Sequence, residues 1–111
     1  MKWVGILFAG GLMMVALGAG SSYAQGAADL YAEKCMACHG ETGEGSHAGP
    51  ALKGDDFILK ASMDEVKDVI LNGRGGTDKL HPEIQIDMPA GLATEEEAGV
   101  LAKYVKEDMQ K

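Results

Sequence analysis

The sequence predicts an all-α domain of three or more short helices, joined by loops too long to be held by protein contacts alone. Three observations predict it. Ser62 with Glu65, and Thr94 with Glu97, each place a capping box before an apolar run at helical spacing. No stretch alternates apolar and polar residues as a half-buried strand does. Only six aromatic residues occur in 111, and Trp3 and Phe8 fall in the opening stretch. The core must then be aliphatic, or be filled by a group that is not an amino acid. A hydrophobic fraction of 46% suffices for packing and argues against disorder. The length suits one domain and excludes a dinucleotide fold or a repeat array.

Residues 1–24 read as an address. Lys2 precedes an apolar run from Val4 to Ala19, and Ser22-Tyr23-Ala24 offers small residues at the minus-three and minus-one positions of a cleavage site. That order is the pattern of a secretory signal peptide cleaved after Ala24. An uncleaved anchor is the rival, since the run approaches the ~18 apolar residues that span a bilayer. The expected domain is 25–111, exported to the periplasm, with no stable membrane insertion after cleavage. Loss of Lys2 leaves nine basic against 17 acidic side chains, a net charge of −8. Such a surface disfavours nucleic acid and anionic lipid and suits docking on basic patches; solubility alone would also account for it. A domain of under about 90 residues is thinly stabilised and commonly recruits a disulfide, a metal or a cofactor.

Ala27 to about Met36 reads as the first helix, with Leu30 and Tyr31 facing inward. Gly40 to Pro50 is a loop by composition. Asp55 to Lys60 is expected to form a short turn carrying Phe57 and Leu59 inward. The helix capped by Ser62 buries Val66, Val69 and Ile70 and stops at Asn72-Gly73. Residues 72–92 form a long loop; its Gly73-Arg74-Gly75-Gly76 lacks the spacing and preceding strand of a phosphate loop. The helix capped by Thr94 runs towards Met109, with Ala98, Leu101, Ala102 and Val105 on one face and a fraying end at Met109.

Cys35-Met36-Ala37-Cys38-His39 carries the chemistry. Two thiols one helical turn apart can each add across a vinyl group of haem, and the next residue then supplies an imidazole to the iron. C-x-x-C-H behind an export signal is therefore read as covalent attachment of one haem c. A thioredoxin-like redox pair would want a βαβ context. A zinc site would need a fourth ligand, for which His47 or His81 could serve. A disulfide would close almost no loop.

The run Ala28-Asp29-Leu30-Tyr31-Ala32-Glu33-Lys34 leading into that motif, then Gly49-Pro50-Ala51-Leu52, Met88-Pro89-Ala90-Gly91 and the helix from Thr94 to Val105, resembles the small class I cytochromes c. The resemblance covers essentially all of 25–111 in the family's order. It departs at Ala27, where the family often has glycine at the crossing of first and last helices; Gly26 is adjacent. It implies a small cytochrome c fold wrapped around one covalent haem on Cys35 and Cys38, with His39 as an axial ligand of the iron. It also implies that the Pro50 carbonyl accepts from His39 Nδ1–H.

The second axial ligand has several candidates. Met36 lies within the motif, Met63 starts a helix and Met109 lies near the C-terminus. Met88 follows a long loop and precedes a proline, and the family order implies that it is the ligand. His81, in the same loop, is the competitor; His47 lies too near His39 to reach the opposite face. Arg74, or a nearby backbone amide, could meet a haem propionate. With His39 and Met88 filling both axial positions, the expected protein is a periplasmic mono-haem electron carrier between redox proteins with basic docking patches, and not an enzyme. A haem subunit of a dehydrogenase or reductase, and a haem ligand-binding or sensing protein, are the alternatives.

Overall fold

The computed structural model describes residues 22–111, which form an all-α domain; most of the expected signal segment, residues 1–21, lies outside the described residues. Helix α1 spans Ser22–Lys34. It begins before the expected Ala27, because the alanines there favour helix and nothing crowds Gly26. Cys35, at φ −123°, breaks it, and α2 follows as a single turn, Met36–His39. Gly40, at φ +90°, ends α2 with its carbonyl accepting from the Tyr31 hydroxyl at 2.6 Å.

Helix α3, Asp56–Lys60, is capped by Asp55 Oδ2, which accepts from Ile58 N at 3.2 Å. The expected inward pair was half right. Phe57 is half-buried and Ile58 is buried, whereas Leu59 is 52% exposed. At 100° per residue, positions 57 and 59 lie on nearly opposite sides of a one-turn helix, so both cannot face inward.

Helices α4, Met63–Asn72, and α5, Glu95–Lys103, start at the two capping boxes. Glu65 N donates to Ser62 Oγ at 3.1 Å and Ser62 N to Glu65 Oε1 at 2.9 Å. The Thr94–Glu97 pair repeats this at 3.2 and 2.9 Å. These backbone N–H groups favour the charged carboxylate, and they hold Glu65 and Glu97 below the usual carboxylate range.

α5 continues into a π-helical turn, Tyr104–Asp108. Here the C-terminus does not fray as expected: Met109 is only 7% exposed and belongs to the core. Its thioether fills the space that a side chain at Gly43 would need, and Gly43 itself sits at φ +80°. Gln110 Nε2 donates to Leu52 O at 3.0 Å, its Oε1 accepts from Gly54 N at 2.8 Å, and Lys106 Nζ donates to Ile58 O at 2.7 Å. The chain end is thus tied to the loop before α3 and to α3 itself.

α4 packs against α5, and α1 crosses α5 and the turn after it. Ala27, Ala98 and Ala102 are fully buried, small side chains that permit close helix approach. Ala27 therefore does the packing expected of a glycine, while a Cβ on Gly26 would meet nothing. Tyr31 and Leu101 are the largest fully buried side chains, and Tyr31 stacks at a tilt on Tyr104, centroids 5.7 Å apart. The described residues contain two isolated backbone bridges and no strand. None of their helices is long and apolar enough to cross a membrane.

Candidate functional site

A cavity of about 340 Å³ opens between the helices and the two long loops, within the range of small-molecule sites. Cys35, Cys38 and His39 form part of its wall, with Pro50 and Leu52 beside them. Val66, Val69 and Ile70 of α4, with Leu101 and Val105, supply its apolar floor, and Met88 comes from the loop before α5. The expected core of Leu30, Leu52, Phe57, Val69, Ile70, Leu101 and Val105 is therefore only part of the protein core. Leu52, Phe57 and Val69 are half-buried because they face this space.

Both thiols are free; Cys38 is exposed and Cys35 half-buried. Burial pushes the Cys35 thiol up to about 11, with Lys34 drawing it down and Cys38 raising it further. It is a neutral, apolar group near pH 7. Backbone bonds from Cys35 N to Tyr31 O at 2.8 Å and from His39 N to Cys35 O at 3.0 Å fix the motif's turn.

His39 is 9% exposed, and its Nδ1 lies 2.8 Å from Pro50 O. A carbonyl can only accept, so Nδ1 carries the proton and Nε2 keeps its lone pair. Pro50 is held there by tight turns. Gly45 N donates to His39 O at 2.7 Å, Ser46 Oγ to Cys38 O at 2.7 Å, and a Cβ on Gly49 would meet Cys38 O at 2.9 Å.

Met88 pairs backbone to backbone with Arg74, 2.9 Å in each direction. Met36, Met63 and Met109 are not on the cavity wall. Gly73 makes the Arg74–Met88 pairing possible: it adopts φ +75°, and a Cβ there would strike Met88 O and come within 2.8 Å of the Pro89 and Ala90 backbone. Gly73→Ala is expected to destabilise the protein by about 3 kcal/mol through strain and collision together. Chemical denaturation of the two proteins checks this, and an unchanged midpoint contradicts it.

His81 also lines the cavity, yet both ring nitrogens face carboxylates: Nε2 lies 3.0 Å from Asp55 Oδ1 and Nδ1 3.4 Å from Glu83 Oε2. His47 is exposed and off the wall. Among the described residues no three His, Cys, Asp or Glu side chains gather as a metal site, so neither histidine completes a zinc site with the thiols. Arg74 is neither solvated nor free: its guanidinium stacks 4.4 Å over the Phe57 ring. Sequence reasoning missed Leu80, Ile84 and Ile86, which line the cavity from within residues 73–92. Large aliphatics stranded in a polar loop were the available signal.

Apolar walls, two free thiols a turn apart and an imidazole with a lone pair are the chemistry that covalent haem requires. The cytochrome c family model matches residues 24–107. The chain belongs to the cytochrome c family. Its cofactor is haem c, and Cys35 and Cys38 have the spacing of the attachment motif. This cytochrome is 34% identical over 79 residues to cytochrome c-551 of Bacillus subtilis (strain 168), a match covering 71% of this chain and 58% of that one. It is 33% identical over 76 residues to the cbb3-type cytochrome c oxidase subunit CcoP of Rubrivivax gelatinosus, covering 68% of this chain and 23% of that one. The cytochrome thus spans less than two thirds of either relative's length.

Proposed function

We propose that the protein is a periplasmic mono-haem cytochrome c that carries single electrons between redox proteins, with His39 and Met88 as axial ligands. Haem c, when bound, supplies a one-electron ferric–ferrous couple. The observation that carries the reading is that His39 and Met88 lie on the wall of the same apolar cavity as the two thiols. Cys35 and Cys38 anchor the group, and Pro50 O orients His39 and raises its basicity through Nδ1–H. Met88 offers a soft thioether that favours the ferrous state. The aliphatic walls exclude water and keep the surroundings alike in both states. Export with cleavage after Ala24 is part of the proposal, and the intact mass of periplasmic material tests it together with attachment. The expected mass is residues 25–111 plus one haem; the bare polypeptide mass overturns the account.

The acidic surface would dock on basic patches of donor and acceptor. Bimolecular electron transfer with a basic partner is expected to slow at least about tenfold from low ionic strength to ~0.5 M salt. Stopped-flow rates indifferent to salt would remove electrostatic steering. The match to CcoP, by name an oxidase subunit, favours a second reading, a haem subunit held in a larger complex. Co-purification with a larger enzyme at a fixed ratio would select it.

A further inference from the structure

What keeps Met88 over the cavity is a question that rests on the ligation proposed above. Residues 73–92 are bonded largely to themselves. Lys79 Nζ pairs with Asp87 at 3.3 Å and donates to Ile84 O, and Ile84 N donates to His81 O at 3.0 Å. The ends of the segment are fixed by the Arg74–Met88 pair, by Gly91 N donating to Leu71 O at 3.1 Å, and by Lys34 Nζ donating to Leu92 O at 3.2 Å. These bonds set the loop's shape and its base. Its far part is tied elsewhere through His81.

The partner is Asp55, whose side chain is 12% exposed and used twice. Oδ2 caps α3, and Oδ1 lies 3.0 Å from His81 Nε2. A carboxylate only accepts, so Nε2–H donates. Capping needs a single oxygen; serine would serve as well. The second oxygen, largely removed from water, is where a partner matters. Asp55 ends the loop that carries Pro50, the partner of His39, and both Asp55 and His81 stand on the cavity wall.

We propose that the Asp55–His81 hydrogen bond is a latch joining the Pro50 loop to the Met88 loop across the cavity, which makes His81 a positioning residue for Met88. Lifting Met88 away from the cavity requires this bond to break, leaving a shielded carboxylate without its donor. Loss of such a charge-assisted bond is expected to favour opening by about tenfold.

The test uses ferric haem-loaded protein and excess imidazole as the probe, following the rate at which the sulfur-to-iron charge-transfer band disappears. His81→Leu keeps an apolar wall without the donor, and Asp55→Ser keeps the α3 cap without the second acceptor. Each is expected to accelerate displacement about tenfold, and the double variant to be no faster than either, since both remove one bond. His81→Gln, which restores an N–H donor, should return the rate most of the way. Unchanged rates, or single effects that multiply in the double variant, overturn the latch. If the unsubstituted protein shows no such band, the Met88 assignment fails separately. Hydrogen exchange at the Ile84 and Met88 amides then decides: faster exchange in both single variants supports the latch, and unchanged exchange overturns it.

Discussion

A Cys35→Ala/Cys38→Ala protein, purified free of porphyrin, is expected to lose most of its far-ultraviolet helical signal. Without thioethers the cavity has no tethered occupant, and the helices that line it lose their common partner. Leaving the 340 Å³ space empty would cost at most about 8 kcal/mol at ~24 cal/mol per Å³. The whole stability of a domain is about 5–15 kcal/mol. Protein contacts alone do not restore the difference. Val66, Ile70, Leu101 and Val105 form both the core and the cavity floor, so collapse onto the void would pull α4 from α5. The loops at 40–55 and 73–92 would keep local turns but lose the surface they fold over. Circular dichroism is the measurement, and native helicity in the haem-free double variant refutes the argument.

What could be read from the sequence was local. The capping boxes at Ser62 and Thr94 involve residues three apart, so their geometry is a property of the segment itself. The attachment motif is local in the same sense. Features that depended on distant partners were not legible. Ile58 rather than Leu59 faces inward because the orientation of α3 is set by Lys106 and Gln110 of the C-terminal turn. Met109 is buried because Gly43, 66 positions earlier, leaves room for its thioether. Within the site, Cys35, Cys38 and His39 are consecutive or nearly so, and their clustering was foreseeable. That His81 faces Asp55 joins positions 26 apart and carries no local signature. Arg74 over Phe57 is likewise a meeting of two loops.

Met88→Ala is the substitution expected to alter the redox site most while sparing the fold. The Arg74–Met88 pairing uses backbone atoms alone, and Gly73 and Gly91 keep their own bonds, so alanine leaves the loop's course intact. Met88 is half-buried, which limits the packing lost. What disappears is the thioether. His39, held through Nδ1 to Pro50 O, stays in place. The ferric variant is therefore expected to lack the sulfur-to-iron charge-transfer band, and the ferrous variant to bind carbon monoxide avidly at neutral pH. The midpoint potential should fall by more than about 60 mV, a tenfold change in the one-electron equilibrium. Circular dichroism should remain near that of the unsubstituted protein, which separates this outcome from unfolding. A band that survives in Met88→Ala would assign the sulfur to another methionine. A band absent from both proteins, with carbon monoxide excluded from both, would return the second axial position to His81. That histidine would first have to leave Asp55, which it faces at 3.0 Å.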